Sequence, residues 1–206
     1  YRFAGVFEES ERAFTRAKEL DPYTPRLLAS GLTYLYQNKC SQALEIFAQS
    51  EPYSAFSLLC QGMTLLDMDR AAEARKRFDA VLATRGTSTA RWVAEAYLAY
   101  MTHQFERGLE AIRALERMFA PAGDGGEALY HYGRLYIALG DSTSGIALLE
   151  RAIDEGFFPY PRLSTDAFLG PARTDDTFAR VLTKAEARHK AFKRSLSRGT
   201  QPPPRH

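Results

Sequence analysis

The sequence is poor in the residues that mark most chemistries. It has two cysteines, Cys40 and Cys60, too few for a disulfide framework, and a reduced, buried pair is expected. No run of about 18 apolar residues occurs, so no membrane-spanning helix is expected. No phosphate cradle of the G-x-x-x-x-G-K-[ST] type, no H-E-x-x-H, no paired C-x-x-C and no G-x-S-x-G elbow is present. The glycine-rich "AGDGGE" around Gly123, Gly125 and Gly126 follows no strand and precedes no lysine, and it reads as a loop between helices. The four histidines, His103, His131, His189 and His206, are scattered along the chain, which argues against a metal site. Catalytic residues, cofactor and metal are therefore not expected, and neither is an enzyme.

What is present is an ordinary globular composition. Of 206 residues, 45% are hydrophobic and 25% charged, which fits one domain or a short repeat array and disfavours disorder. The net charge is only +2. It is unevenly spread: residues 171–206 carry nine Lys and Arg against three Asp and Glu, leaving a mildly acidic body.

The chain repeats itself. "YRFAGVFEESERAFTRAKELDP", "GLTYLYQNKCSQALEIFAQSEP", "GMTLLDMDRAAEARKRFDAVLATRG" and "GRLYIALGDSTSGIALLERAIDEG" share one pattern of helix, polar turn and helix. Small residues recur early in it at Gly31, Gly62, Ala96 and Gly133. Bulky residues recur in the second helix at Phe14, Phe47, Phe78, Ile112 and Leu149, separated by 33, 31, 34 and 37 positions. Small residues let antiparallel helices approach, and large ones fill the adjoining gaps. The helices are expected at about 2–4, 6–20, 24–38, 40–50, 53–68, 70–84, 88–103, 105–119, 125–139, 142–155 and 175–196.

These marks resemble the tetratricopeptide repeat, a helical hairpin with a period near 34 residues. Gly31, Gly62 and Gly133 match its first-helix Gly, and Tyr34 and Tyr136 its Tyr. Gly5 and Gly140 fit its inter-helix turn, Ala43 and Ala74 its small second-helix residue, and Ala17 and Ala152 the later one. Pro22 matches its closing Pro and Trp92 its early Trp. Ala96, Gly108 and Gly145 depart from the pattern, and the two glycines cost about 1 kcal/mol each relative to Ala in an isolated helix. The resemblance implies an all-α, right-handed α-solenoid of four to five hairpins over residues 1–156. Tyr1 and Gly5 fall at the end of a first helix, so the register leads us to expect a truncated first repeat with more sequence upstream. Self-association through that truncated repeat is a further expectation.

Residues 157–206 are expected to comprise an irregular, Pro-containing segment, a capping helix and a frayed basic tail. "DDTFARVLTKAEARHKAFKRSL" reads as the cap, started by Thr174 or Asp175, with Phe178, Val181, Leu182, Ala185, Phe192 and Leu196 on one stripe. "RGTQPPPRH" reads as an extended terminus. The stretch from "ERAIDEGF" through Asp166, Leu169 and Arg173 to "DDTFARVL" resembles the end of repeat regions attached to bacterial regulators. Those carry a Ser/Thr kinase, a nucleotide cyclase or a winged-helix domain upstream. The resemblance implies the C-terminal part of such a regulator and a cytoplasmic setting.

The resembling family lines its concave face with the first helix of each hairpin. By register that places Leu32 and Tyr36 there from one repeat, then Phe56, Leu59, Met63 and Leu66. Tyr97 and Tyr100 follow from the third, and Tyr130 and Arg134 from the fourth. The trough lacks the Lys and Asn pattern by which some relatives clamp a terminal carboxylate. So large an apolar face implies a protein or peptide partner, self-filling by "GFFPYPRL" with Pro159 and Pro161 extended, or burial by tight stacking. A non-catalytic interaction scaffold is the leading reading. The alternative is a nucleic-acid-binding array using the basic C-terminal helix. Cys60, among Leu58, Leu59 and Met63, reads as packing.

Overall fold

Five turns carry one backbone conformation. Gly5, Asn38, Asp69, His103 and Gly140 all sit at positive φ, between 56° and 97°. Each stands nine residues before Phe14, Phe47, Phe78, Ile112 or Leu149. At each turn the N–H that follows the left-handed residue reaches back to close the helix before it: Val6 to Tyr1, Lys39 to Tyr34, Arg70 to Leu65, Gln104 to Ala99 and Asp141 to Tyr136, at 2.8–3.1 Å. This is the Schellman ending, which satisfies carbonyls that a helix C-terminus would otherwise orphan. Sequence patterning credits this turn only to the two glycines. Asn and Asp tolerate the left-handed region through their short polar side chains, and His103 adopts it as well.

The computed structural model describes residues 1–21, 27–49, 54–85, 89–119 and 125–199. The helices among them are α1 (Phe7–Leu20), α2 (Leu27–Tyr36), α3 (Cys40–Gln49), α4 (Ala55–Asp67), α5 (Ala71–Ala83) and α6 (Thr89–Met101). They continue with α7 (Phe105–Phe119), α8 (Gly125–Ala138), α9 (Ser142–Asp154), α10 (Tyr160–Thr165) and α11 (Asp176–Gly199). Short 3-10 turns occupy Arg2–Ala4 and Ala167–Ala172, and no strand occurs among the described residues. The closing Pro22, Gly123 with the start of the "APAGDGG" interruption, and the "TQPPPRH" tail with His206 lie outside the described residues.

The hairpins α2–α3, α4–α5, α6–α7 and α8–α9 follow one another as an all-α solenoid, with α1 packed on α2 ahead of them. Close helix approach explains the small residues. A Cβ on Gly31 would lie 2.4 Å from Phe47, and one on Gly62 2.4 Å from Phe78. The glycines that depart from the repeat pattern mark contacts just as close. A Cβ on Gly145 would meet the Gly133 carbonyl at 2.6 Å, and one on Gly108 would meet Leu139 at 2.6 Å. Their poor helix propensity is offset by close packing, against backbone at Gly145 and against the Leu139 side chain at Gly108, that an added Cβ would obstruct.

The solenoid curls tightly. Tyr36 of α2 hydrogen-bonds to Glu127 and His131 of α8, joining the first full hairpin to the last. The opening turn meets the far end of the chain. Phe158 N donates to Phe3 O at 2.7 Å, and His189 Nδ1 of α11 donates to Ala4 O at 2.7 Å. Gly5 leaves no room for a Cβ, which would stand 2.9 Å from Pro159 Cα.

The segment after α9 differs from the extended strap expected for Pro159 and Pro161. A Schellman turn at Gly156 (φ 99°) redirects the chain. Pro159 then caps α10, and Pro161 sits in its first turn. A first-turn residue needs no N–H donor, so proline starts this helix at no hydrogen-bonding cost. The Ala167–Ala172 turn follows, capped by Asp166, which accepts from Phe168 N at 3.0 Å. Of the two candidate caps for α11, Asp175 serves, accepting from Thr177 N and Phe178 N at 2.6 and 3.2 Å. Lys184 of α11 pairs with Glu150 and Asp154 of α9, and Arg188 donates to Ile153 O, so part of the basic helix is engaged in docking.

Candidate functional site

The concave face is built by α2, α4, α6 and α8, and the structure divides it in two. One part is filled by residues 157–172. Phe157 packs between Tyr36 and Tyr130, with ring centroids 5.9 and 5.2 Å away. Phe168 packs on Tyr97 and Tyr100 at 5.7 and 5.1 Å, with the Arg134 guanidinium 4.4 Å over its ring. Tyr36, Tyr97, Tyr130 and Arg134, expected on the concave face with self-filling by "GFFPYPRL" among the alternatives, are buried beneath the chain's own C-terminal segment. Tyr100 and Leu66 are half-buried.

Between these aromatic anchors lies a buried charge cluster. Arg162 of α10 donates to Asp67 Oδ2 at 2.7 Å, to Asn38 Oδ1 at 3.0 Å and to the Tyr130 hydroxyl at 2.9 Å. Tyr130 in turn donates to Asp166 Oδ2 at 2.5 Å. Arg134 pairs with Asp166 at 3.0 Å and with Asp67 at 3.4 Å. Two cations face two carboxylates, so the cluster is neutral, and nearly every donor has an acceptor. Burial works against the Asp166 carboxylate, but Arg134, Arg162, the Tyr130 hydroxyl and Phe168 N outweigh it and hold its pKa below the ordinary value. Burial likewise opposes the Arg134 cation, and Asp166 foremost overcomes it. Burial pushes the Tyr97 phenol up to about 12. Buried, mutually paired groups of this kind fix one arrangement of the elements they join, because removing any member leaves a charge stranded in low dielectric. Arg134 and Asp166 were visible in the sequence; Asn38, Asp67 and Arg162 were not singled out. A lone Arg in an otherwise apolar trough was the available signal that a counter-ion had to arrive from elsewhere.

The other part is open. A recess of about 350 Å³ is lined by Leu32, by Phe56, Leu59 and Met63 of α4, by Thr89, Ala90 and Val93 of α6, and by Ala128, His131 and Tyr132 of α8. Four of the expected groove residues, Leu32, Phe56, Leu59 and Met63, meet here. Phe56 stands at its lip with 46% of its surface exposed. Phe56 lies in the first turn of α4, two residues after Ser54, whose hydroxyl caps the helix by accepting from Ser57 N at 3.1 Å.

His131 joins the two parts. Arg2 donates to Glu127 Oε1 at 2.6 Å, and the Tyr36 hydroxyl donates to the same oxygen at 2.8 Å. Its proton committed, the Tyr36 oxygen accepts from His131 Nε2 at 2.9 Å. The Nε2–H tautomer follows, leaving Nδ1 as a bare acceptor, and that nitrogen has no hydrogen-bond partner among the described residues. Burial first, then Arg134 and Arg162, lower the His131 pKa to about 3, so the ring is neutral.

Among the described residues no group of three or more His, Cys, Asp or Glu is placed to hold a metal. No helix among them is long and apolar enough to cross a membrane. Cys60 is fully buried and burial raises its thiol pKa strongly, which leaves it as core packing. His103 lies in a turn, while His189 is held by Ala4 O.

No family model matches the sequence, and no curated protein does so significantly. A solved structure does: a tetratricopeptide repeat protein from Parabacteroides merdae ATCC 43184, with a TM-score of 0.51 and 17% identity. The match covers 89% of this chain and 72% of that one. At that identity the likeness speaks for architecture alone, and it agrees with the turns and hairpins above: the chain has a tetratricopeptide-repeat-like fold.

Proposed function

We propose that this chain is a non-catalytic interaction module whose open recess receives an apolar segment of a protein partner. The observation that carries the reading is the contrast within one face. Where residues 157–172 lie, the rings are packed against one another and the charges are paired, the buried Tyr97 hydroxyl being left without a hydrogen-bond partner among the described residues. Beside them, Phe56, Leu59, Met63 and Val93 remain grouped around unfilled space, with an aromatic ring exposed at the rim. Grouped apolar surface around a concave site is a feature of binding sites rather than of ordinary surface. The likeness of the last quarter of the chain to the ends of regulator repeat regions supports a role as the assembly or sensory part of a bacterial regulator, and the reading frame preceding Tyr1 tests that part of the proposal.

The experiment for the recess is a peptide-display selection on the purified chain, followed by fluorescence titration of the selected peptides. Binding should fall at least tenfold in Phe56→Asp, whose ring is exposed at the lip, and measurably in Met63→Ala, which shortens a buried lining side chain without burying a charge, while circular dichroism confirms the fold. Selected peptides that bind both variants as well as the original chain would overturn the assignment.

A further inference from the structure

Building on the proposed function, we infer that the recess recognises an aromatic side chain carrying one hydrogen-bond donor, a tryptophan indole on the partner segment, which pairs with His131 Nδ1.

Three observations support this. The first is size. A cavity of about 150 Å³ suffices for benzene, and the recess offers about 350 Å³. That is room for one large aromatic anchor and too little for a helix. The second is lining. Phe56, Leu59, Met63 and Val93 present rings, a thioether and methyl groups, which suit the face of a fused aromatic ring. Among the described residues no carboxylate and no ammonium lines the recess, so a charged side chain would enter without a counter-ion from them.

The third is the imidazole. His131 lines the recess, and the chain from Arg2 through Glu127 and Tyr36 fixes its proton on Nε2. Nδ1 therefore offers a lone pair, buried and unpartnered. An unpaired buried acceptor is unfavourable until a donor reaches it. Leu, Ile and Phe bring no donor. Indole brings one N–H on an otherwise apolar body; Nδ1 is shielded from solvent, so the pairing requires the side chains around it to move aside. Recognition by apolar body and single donor separates Trp from Leu, Ile and Phe, which bring no donor, and from Tyr, whose O–H donates but whose oxygen is itself an acceptor to be satisfied, whereas the indole N–H is donor only.

The test uses 3-methylindole as probe and 3-methylbenzothiophene as its donor-free counterpart, titrated into the full chain with nitrogen-15 NMR of the imidazoles. 3-Methylindole should bind about tenfold more tightly, shifting the His131 Nδ1 resonance. In His131→Leu the preference should vanish while benzothiophene binding persists, which also shows that the variant folds. In Tyr36→Phe, which leaves the imidazole in place but removes the group that holds its proton on Nε2, the preference should weaken without vanishing. Equal binding of the two probes to the original chain, or binding of neither, overturns the indole assignment. Peptides that lack Trp yet lose affinity in Phe56→Asp would then leave the proposed function standing. Failure of both probes and peptides would end both.

Discussion

The two parts of the concave face come from the same four helices and solve opposite problems. Toward their C-terminal ends, α2 and α4 carry Tyr36, Asn38 and Asp67, groups that demand partners. Residues 157–172 supply them through Phe157, Arg162, Asp166 and Phe168, and the result is sealed. In their first turns, α4 and α6 carry Phe56, Leu59, Ala90 and Val93, which make no polar demand and leave a recess. Polar groups within a fold have to be matched by particular atoms at particular distances, so they fix a neighbour. Apolar groups accept any complementary shape, so that part of the face stays available to an outside partner.

The comparison is most severely tested at Asp166. Asp166→Ala strands Arg134 and Arg162 with Asp67 as their remaining carboxylate. The expected cost is about 3–5 kcal/mol, a fall in thermal midpoint on the order of 10 °C by calorimetry. Hydrogen exchange should rise first in α10. A midpoint within about 2 °C of the original would mean that the cluster does not hold the filled part together.

Gly62→Ala probes the framework beneath both parts. The added Cβ would overlap Phe78, so overpacking of about 1–3 kcal/mol should exceed the gain in helix propensity. Denaturant unfolding reads the net loss; a more stable variant would show that the hairpin can open without penalty.

His131 sits at the boundary, and pH tests it. Its folded pKa of about 3 lies below the ordinary 6.5, so the unfolded chain takes up a proton first as pH falls. Stability should therefore drop through that window, at about 1 kcal/mol per pH unit between pH 6 and 4. His131→Leu should flatten this slope. The Asp166 contribution has the same sign in a more acidic window: its folded pKa is also depressed, so it is intact above the ordinary carboxylate value and is lost only as pH falls beneath it. A slope unchanged in His131→Leu would assign the pH dependence elsewhere.

The smallest stability effect belongs to Phe56→Asp. At 46% exposure the ring contributes little to folding, and a change within about 0.5 kcal/mol is expected. A loss of several kcal/mol would mean that the recess is core rather than binding surface.

The hairpins could be read in advance because their cause is local and periodic. Gly31 against Phe47 and Gly62 against Phe78 are the same contact repeated, and repetition is visible in a string of letters. Gly108 and Gly145 looked like defects because propensity counts a residue within its own helix, whereas their reason lies in the helix opposite. The ten expected groove residues were placed by register alone. Register assigned them to one face but said nothing of what lies upon it, so Leu32, Phe56, Leu59 and Met63 came to border open space while Tyr36, Tyr97, Tyr130 and Arg134 were covered.

The sequence by itself determined the hairpin period and the apolar character of the inner face, since each depends on neighbours within about one repeat. Tertiary structure alone decided which part of that face is closed. The Arg162–Asp67 and Tyr36–His131 contacts join residues 95 apart in the chain. Charge pairing and hydrogen bonding act over a few ångströms, so such partners are chosen only once the solenoid has curled and brought its two ends together.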